Sequence, residues 1–517
     1  MSELDVRTLA LAKAGISKLS KEIANHGVTP QMYGAVGDGV TDDTAAFQEA
    51  FDNGGSIFIP DGVYLIDATV GLKLPSNTVV VLSKFATLKA QTNDAEFYRV
   101  LEIADVNNVT ICGGNIQGER DTHTGTTGEA GIGIRIVASS DIRVHDVKVS
   151  NCWGDGIYVG ATSDGSNRCQ RVTISNCEIY NTRRNGISVV GCVDFVSKDC
   201  LIHDVSGTSP ETAIDIEVNV SEYPNENITI DGLTEYDCVY SIRTPRETVN
   251  FTVVSCNMVD PLIMDKCMSA YFSDSNMQGA EFIAQDGIVT VDNCRMQQAV
   301  VDMNEPDCAY KIVFRDCTFH NPNGNCLSIS NNGFTVDSNG EYNVECINCK
   351  FVASCEESSV YAIGKSGALY GNELSFLGCT FELNCVNDIV LYGDKVVFAN
   401  NVVKHKERIP SVFMTISSKK HTIIKDNVFE FGCESYTAVG LMNLYGESCK
   451  VINNAFVMDN KLASNLVRGN DTTMDVIVMN NCCDKYASSA LCARANAEAI
   501  IKTLGNMTLD STSAATV

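Results

Sequence analysis

Apolar and polar residues alternate in short segments along the first half of the chain. Three segments show the pattern most clearly: WGDGIYVG (153–160), TRRNGISVVG (182–191) and TSPETAIDIEVN (208–219). Each begins with a turn and continues with the period-two alternation of a strand. Aligning them on Ile157, Ile187 and Ile214 places their apolar side chains on one face, because side chains alternate faces along a strand. The three segments are therefore predicted to be stacked strands of one sheet.

A longer repeat follows the same logic along most of the chain. From residue 109 a template recurs: apolar, any, apolar, any, Asn/Asp/Gly, a small, Cys or Asn position, any, apolar. Its sixth position falls at Gly114, Val147, Cys177, Cys200, Leu233, Cys256, Ser275, Cys294, Cys317, Cys349, Cys379, Asn401, Asn427, Asn454 and Asn481. The spacing of 19 to 33 residues is typical of a solenoid in which each repeat is one coil. Cysteine followed by asparagine at this position predicts a cysteine stack that becomes an asparagine ladder.

The two ends of the chain have different patterns. Residues 2–26 read as a helix with a short heptad, which favours either trimerisation or a simple capping or anchoring helix. Residues 33–51 read as a Gly-rich turn feeding a short helix capped near Thr41 or Asp42. Residues 54–66 read as a strand, a Pro-Asp-Gly turn and a strand. Residues 484–503 read as a helix that caps the open end of the coils.

Composition narrows the class of partner. The formal charge of −26 argues against a nucleic-acid or anionic-membrane partner, and no apolar run is long enough to cross a membrane. The N-terminus lacks the layout of a secretion signal, so a protein acting outside a cell is expected to leave by another route, such as lysis. The 23 cysteines follow the repeat, which favours buried thiols in a chain folded in a reducing compartment. The Cys346/Cys349 pair has no second pair, so we predict core packing rather than zinc, and no metal or cofactor.

The candidate chemistry lies on the opposite face of the three aligned strands. Hydrolysis of a glycosidic bond usually takes two carboxyl groups, and Asp215 and Glu217 lie two residues apart on one strand, about 6.5–7 Å between Cα atoms. Aligning the next coil puts Arg243 over Asp215, which is expected to keep that aspartate ionised. Glu217 has a drier setting, which is expected to raise its pKa and make it the general acid. Asp155 is the third catalytic candidate.

The remaining candidates are substrate-binding residues. They are Arg184, Arg243, His123, Asp121, Glu129, Trp153 and Tyr158. Three of them lie in an insertion at 118–134, and further insertions are predicted at 161–170 and 206–210. Insertions in a solenoid cluster on the face that binds the ligand, so these three are expected to border the site. Arg184 is expected either to bind a sugar carboxylate or to pair with Asp155 or Glu211. His123 and Asp121 are expected to reach over the same groove, although a plain surface role is open for each.

The segments at 33–66 closely resemble the N-terminal module of the pectate-lyase-like, right-handed β-helix superfamily. WGDGI, RRNGIS and GTSPETAIDIEVN, following a GERD…H…GE loop, resemble a pattern in β-helix polysaccharide-degrading proteins of phages and bacteria; the likeness spans residues 33 to about 245. By resemblance to polygalacturonases, the carboxylates with His123 and Arg184 form an analogous catalytic set, although the Asp-Asp and Gly-His-Gly signatures are absent. By resemblance to pectate lyases, Arg184 or Arg243 would be a base.

We therefore expect an all-β, right-handed parallel β-helix with a short N-terminal helix and a C-terminal helical cap. The predicted divisions are a helix at 1–27, a capping module at 28–107, the β-helix at 108–483 with its active site at 118–245, and a cap and tail at 484–517. The expected function is hydrolysis of a cell-surface polysaccharide by a phage tailspike depolymerase. The alternatives are a non-catalytic glycan-binding tail protein, a polysaccharide lyase, or a lysis-released bacterial carbohydrate enzyme.

The resemblance also implies partners and a location. A tailspike would be a homotrimer attached to a tail or baseplate through its N-terminal helix. It would belong to the virion or act outside the cell, without inserting into a membrane.

Overall fold

A computed structural model describes residues 27–508 with internal gaps. The gaps are residues 164–166, 218–223, 245–247, 266, 284–286, 303–308, 323–324, 331–340, 356–360, 365–372, 386, 406–412, 433–439, 459–464, 470–474, 484–491, 495–499 and 505. The predicted helix at 2–26 and the predicted tail after residue 508 lie outside the described residues. The chain forms two compact units, Met1–Leu262 and Ile263–Val517.

Parallel strands in three stacks, here called sheets A, B and C, build the first unit. Sheet A contains Leu72–Lys73, Phe97–Ala104, Ala130–Val137, Ile157–Gly160, Asn185–Val190, Thr212–Glu217 and Tyr240–Thr244. Sheet B contains Gly55–Ile59, Thr78–Leu82, Asn107–Cys112, Ser140–His145, Cys169–Ser175, Cys192–Lys198, Asn225–Asp231 and Thr248–Val254. Sheet C contains Asp38–Asp42, Gly62–Ile66, Ala86–Ala90, Asn115–Gln117, Lys148–Ser150, Glu178–Tyr180, Leu201–His203, Thr234–Tyr236 and Asn257–Met258.

The chain passes through sheets A, B and C in turn, and each strand pairs with the strand one coil later. This is the connectivity of a parallel β-helix, as predicted. Apolar side chains form columns inside the coils. One column in sheet C runs through Ile116, Val149, Ile179 and Ile202, each fully buried. Many bends between strands are made by Asn or Asp at positive φ, a backbone region that these two residues tolerate better than others.

The second unit has three stacks of its own, sheets D, E and F. Sheet D contains Ser269–Ser273, Gly287–Asp292, Ala309–Arg315, Glu341–Ile347, Glu373–Leu377, Asp475–Met479 and Ile500–Leu504. Sheet E contains Asn276–Ile283, Arg295–Asp302, Thr318–Asn321, Lys350–Cys355, Thr380–Cys385, Val402–His405, Val428–Phe431, Ala455–Met458, Cys482–Cys483 and Met507–Thr508. Sheet F contains Leu262–Asp265, Leu327–Ser330, Tyr361–Ile363, Asn465–Gly469 and Cys492–Arg494. Two strands of sheet E also belong to sheet F, because Asn276–Ile283 pairs with Leu262–Asp265 and Arg295–Asp302 pairs with Leu327–Ser330. Three long strands join sheets F and D: Asn387–Ala399, Met414–Lys425 and Gly440–Ile452.

The predicted asparagine ladder is present in the second unit. The backbone N–H groups of Asn401, Asn427 and Asn454 each donate to the side-chain Oδ1 of the asparagine one coil later, at 2.9–3.1 Å. Asn481 continues the ladder by donating in the same way to Asn506 at 2.9 Å. All five side chains are buried, so the ladder satisfies backbone groups that water cannot reach.

The cysteines behave as predicted. Eighteen described cysteines carry free thiols, and all of them except Cys238 and Cys482 are buried. Cys346 and Cys349 are both buried in the core, with the Cys349 thiol donating to the carbonyl oxygens of Phe314 and Ile347. Among the described residues, no helix is both long and apolar enough to span a membrane.

One prediction about the ends needs correction. The segment 484–503 was expected to be helical, but its described parts, Cys492–Arg494 and Ile500–Leu504, are strands that pair with Val467–Gly469 and Asp475–Met479. One more coil forms because Asn506 supplies another rung of the ladder, and tertiary pairing overrides local helix propensity.

At the other end, the helix spans Thr44–Asp52, and a strand at Asp38–Asp42 separates it from the Gly-rich turn, in which Gly34 and Gly37 have positive φ. The residue before the helix is Asp43, but the side chain that caps the helix is that of Asp42, whose Oδ1 accepts the backbone N–H of Thr44 at 3.0 Å, as predicted. Asp43 is buried because its carboxylate accepts the backbone N–H groups of Val36 and Gly37. The expected strand–turn–strand at 54–66 is present as Gly55–Ile59 and Gly62–Ile66.

Candidate active site

Sheet A has the register expected from the alternation. Ile157, Ile187, Ile214 and Ile242 are successive partners on neighbouring strands. The pairing of these isoleucines also sets which residues pair at the next position along each strand, on the opposite face of the sheet. The column of side chains at that position contains Arg135, Tyr158, Ser188, Asp215 and Arg243. Glu217 pairs with Val190 in the next column.

Arg184, at the bend before its sheet A strand, connects three carboxylates. Its Nη1 lies 3.3 Å from both carboxylate oxygens of Asp155, and its Nη2 lies 3.1 Å from Oε1 of Glu217. Its Nε lies 3.5 Å from Oε2 of Glu129, which comes from the 118–134 insertion. Arg184 thus ties together residues from separate coils. Burial opposes the charged guanidinium, but the charges of Asp155 and Glu217 outweigh it and raise the pKa of Arg184.

These contacts decide between two of the expectations for Arg184. It pairs with Asp155, as one alternative held, together with Glu129 and Glu217 rather than Glu211. A guanidinium with a raised pKa stays protonated at neutral pH, which argues against Arg184 as the base of an elimination.

Asp155 lies at the buried end of this cluster. It accepts a 2.9 Å hydrogen bond from the Ser188 hydroxyl in addition to its contacts with Arg184. Burial raises the pKa of Asp155, while the Arg184 charge and the Ser188 hydrogen bond oppose that shift. The carboxyl group therefore holds a proton to a higher pH than an ordinary aspartate does.

The pKa values of Asp215 and Glu217 are shifted in opposite directions. Asp215 is fully buried, and burial together with the neighbouring Glu217 carboxylate raises the pKa of Asp215 to about 9. Burial alone would raise the pKa of Glu217, but the hydrogen bond from Asp215 and the charge of Arg184 outweigh it and lower that pKa. Asp215 is thus protonated and Glu217 ionised at neutral pH.

This order reverses the expectation from sequence, which made Asp215 the ionised member and Glu217 the acid. The reason is that the Asp215 carboxyl group is buried more deeply than that of Glu217. Arg243 stands beside Asp215 in register, but its charge lowers the pKa of Asp215 less than burial raises it. The exposed fractions differ in the same sense, because the Glu217 side chain remains 21% exposed whereas Asp215 is 0% exposed.

Asn185 is a residue that the sequence analysis missed. It is fully buried, and its Nδ2 donates to the Ser188 hydroxyl at 3.0 Å and to Oδ2 of Asp215 at 3.3 Å. Its Oδ1 accepts the backbone N–H of Thr212 at 3.1 Å. Asn185 therefore links the Asp155 and Asp215 ends of the cluster. The sequence signal that could have identified Asn185 was a polar residue at the first position of a strand that is otherwise mostly apolar.

The insertion folds down onto the site through the tryptophan. His123 stacks on Trp153 with ring centroids 4.0 Å apart, and the Arg183 guanidinium lies 3.8 Å from the Trp153 ring centroid. Trp153, a predicted substrate-binding residue, is therefore in contact with two side chains of the protein itself.

His123 is also not placed as expected. Its side chain is 0% exposed, and its Nδ1 lies 2.8 Å from the equally buried carboxylate of Glu119. It holds the insertion in place and does not reach over a groove. The neighbouring Asp121 is exposed and contacts the Asn181 side chain at 3.4 Å, apart from the carboxylates around Arg184.

Glu129 and Tyr158 do lie at the cluster. The Glu129 side chain is 63% exposed above Arg184. Tyr158 is half-buried, and burial raises the pKa of its hydroxyl, with Asp155 and Glu217 adding to the effect and Arg135 opposing it. A Cβ on Gly160 would lie 2.6 Å from the Tyr158 ring, so the ring position requires glycine there.

The cluster can therefore supply a proton and a negative charge to one ligand. Asp155 and Glu217 have pKa shifts in opposite directions and share Arg184. Each of their contacts with the guanidinium is no longer than 3.3 Å, so their carboxylate oxygens are within about 9 Å of each other. Carboxyl pairs at or below this separation flank the scissile bond in glycoside hydrolysis.

Residues 31–269, which contain this whole cluster, match the family model described as rhamnogalacturonase A/epimerase, pectate lyase-like. The resemblance seen in the sequence is thereby confirmed for this part of the chain, which is similar to pectate-lyase-like proteins and has the parallel β-helix connectivity described above.

Curated relatives match part of the chain. The uncharacterized protein YclG of Bacillus subtilis (strain 168) is 33% identical over 214 residues, covering 36% of this chain and 37% of YclG. The pre-neck appendage protein of Bacillus phage phi29 is 27% identical over 204 residues, covering 35% of this chain and 24% of the phage protein. The matches thus span less than half the length of these relatives. Among solved structures, the N-terminal fragment of bacteriophage phi29 gene product 12 aligns at a TM-score of 0.41 with 14% identity, covering 96% of both chains.

Proposed function

We propose that this chain is a glycoside-hydrolase-like enzyme of the phage tailspike type that binds and cleaves a cell-surface polysaccharide. The observation that carries the proposal is Arg184, which holds Asp155 and Glu217 together while their pKa values shift in opposite directions. Support for the setting comes from the matched family model and from the phage appendage protein among the relatives.

The roles follow from protonation and exposure. Glu217, ionised and partly exposed, is the base or nucleophile. Asp155, with its raised pKa, is the general acid. Asp215 has no exposed surface, whereas the Asp155 side chain keeps 5% of its surface exposed, so Asp215 is a positioning residue that lowers the pKa of Glu217.

The charge at the cluster favours a neutral glycan. Three carboxyl groups, those of Glu129, Glu217 and Asp155, surround Arg184 at the cluster. The guanidinium of Arg184 already contacts all three carboxylates, so it has little capacity left to bind the carboxylate of an acidic sugar. We therefore expect neutral repeating units to be cleaved faster than uronate-rich ones.

The test is turnover on a panel of neutral and acidic polysaccharides, with reducing ends and ultraviolet absorbance of unsaturated products followed together. New reducing ends without absorbance indicate hydrolysis, and Glu217→Gln and Asp155→Asn should each lower kcat by at least about 100-fold. Glu382→Gln is the matched control, since Glu382 forms a surface ion pair with Lys350 in the other unit and should leave turnover unchanged. Absorbance rising with reducing ends would mean elimination and would refute these roles.

A non-catalytic glycan-binding protein is the second candidate. The full burial of Asp215 favours it, because a buried carboxyl network also serves as a structural anchor beneath a binding surface. In that case the panel yields a polysaccharide that binds to the protein and is never shortened. Glu217→Gln would then change affinity modestly without changing any product.

Assembly and location are part of the same proposal. A homotrimer joined through residues 1–27 and attached to a phage tail would present several copies of the site to one surface. Sedimentation equilibrium of the full chain and of a chain lacking residues 1–27 measures this directly. Trimer for the first and monomer for the second is the expected result, and identical masses per assembly would refute the role of the segment.

A further inference from the structure

Glu235 occupies a position where its neighbours are apolar. It continues the interior column of sheet C described above, pairing with Ile202 on one side and Met258 on the other. Both neighbours are buried, and Glu235 itself is 0% exposed. Moving a carboxylate into such a column is costly unless a charge or hydrogen bonds compensate it. The carboxyl group of Glu235 therefore needs a specific partner.

Hydrogen bonds satisfy only one of its two oxygens. Oε1 accepts the Ser241 hydroxyl at 2.6 Å and the backbone N–H groups of Val259 and Asp260, the latter at 2.9 Å. Oε2 is buried and has no hydrogen-bond partner in the described part of the chain. Three donors on one oxygen are the environment of an ionised carboxylate, and the second oxygen is free to bind a ligand.

Two further ligand groups converge on this carboxylate. One ligand atom each from Glu235, Cys238 and Asp260 lies within 4.8 Å of the other two. The charges acting on Glu235 and Cys238 are carboxylates, from Asp260 on both and Asp204 on Cys238. Among the described residues, no lysine or arginine forms an ion pair with Glu235 or Asp260.

We propose that Glu235, Cys238 and Asp260 bind a divalent transition-metal ion of the Zn²⁺ class. A thiolate with two carboxylates suits Zn²⁺ better than Ca²⁺ or Mg²⁺, which prefer oxygen ligands alone, and three protein ligands leave a fourth position for water. The cation supplies the counter-charge that the buried carboxylate lacks. The sequence had predicted no metal, because these three residues follow no standard ligand spacing. The proposal is independent of the carboxylates around Arg184.

A second cluster, Cys112, His145 and Asp146, provides a matched comparison. Its ligand atoms also lie within 4.8 Å of one another. However, His145 Nδ1 lies 2.8 Å from Oδ2 of the adjacent Asp146, and His203 and Asp204 form the same contact at 2.7 Å. A contact that recurs between neighbouring residues at a bend is explained by the turn, so this cluster is the control.

The experiment is a Co²⁺ titration of the full chain after chelation, under reducing conditions. Co²⁺ stands in for Zn²⁺ because a thiolate ligand gives a charge-transfer absorbance. We expect one equivalent to bind in the wild type and in Cys112→Ser, with the absorbance lost on adding Zn²⁺. Cys238→Ser should lose the absorbance, and Glu235→Gln, which keeps the shape of the side chain, should weaken binding at least tenfold.

Several results would overturn the proposal. Absorbance that survives in Cys238→Ser, or disappears only in Cys112→Ser, would place the metal elsewhere. An absence of binding to the wild type would mean that Glu235 and Asp260 share a proton and bind no cation. Folding of each variant is checked by circular dichroism. As a readout independent of colour, Zn²⁺ should raise the urea midpoint of the wild type and not that of Glu235→Gln.

Discussion

Replacing Arg184 with methionine tests the charge balance at the candidate active site. The Arg184 side chain is 18% exposed, and its partners Asp155 and Glu217 are 5% and 21% exposed. Removing one partner of a pair at this depth leaves buried carboxylates without a counter-charge, which costs about 3–5 kcal/mol of unfolding free energy. Methionine keeps most of the packing of the aliphatic stem, so the loss reports the charge.

Lys350→Met is the matched control for this loss. Lys350 pairs with Glu382 at 2.9 Å, but the two side chains are 45% and 33% exposed. A solvent-exposed pair contributes about 0–1 kcal/mol, so this variant should unfold almost like the wild type.

Urea unfolding followed by far-ultraviolet circular dichroism measures both variants. At pH 7 Arg184→Met should be less stable than Lys350→Met by at least about 2 kcal/mol. The gap should narrow at acid pH, because Glu217, whose pKa is lowered, becomes protonated and no longer needs the guanidinium. Equal losses in the two variants at pH 7, or a gap that widens on acidification, would refute the view that charge holds this cluster.

Three further predictions concern other features. Asp215 keeps a proton up to a pKa of about 9, while in the unfolded chain it releases it near pH 3.9. The unfolding free energy should therefore fall as pH rises between these values, by about 1.4 kcal/mol per pH unit. Urea titrations at several pH values should show that Asp215→Asn removes this slope between pH 5 and 8. Asn454→Ala should cost about 2–4 kcal/mol in the same assay, because it strands the buried N–H of Asn427 and the carbonyl of Ile424. Gly160→Ala should push the Tyr158 ring away, raising KM with little change in the urea midpoint.

The register of sheet A was predictable from the sequence alone. A strand that slips by one residue moves its whole apolar set to the wrong face, so the isoleucines fix the alignment. Ile157, Ile187 and Ile214 therefore gave the correct partners for Ser188, Asp215 and Arg243 before any coordinates. The asparagine ladder was predictable for a related reason, since the repeat places the same residue type at the same bend.

Depth and protonation were not predictable in the same way. An alignment gives the column of Asp215 but not its burial, which depends on neighbours outside that column such as Asn185. The histidine of that insertion was assigned to a groove because its loop looked open. Its 2.8 Å contact with Glu119 joins residues four apart within a loop whose path no periodicity encodes. The helix expected at 484–503 failed because local propensity there competes with pairing to the previous coil.

The chain contains a single tryptophan, and the structure places it in contact with both His123 and Arg183 at the edge of the candidate active site. Its indole nitrogen also donates to the backbone carbonyl of Thr127, within the insertion. Emission excited selectively from tryptophan, and not from the 17 tyrosines, therefore reports on one contact between the insertion and the coils. Detachment of the insertion would expose the indole to water and shift the emission to longer wavelength while the strands remain intact. The emission wavelength of Trp153 in an unlabelled sample thus reports whether the insertion is packed against the coils.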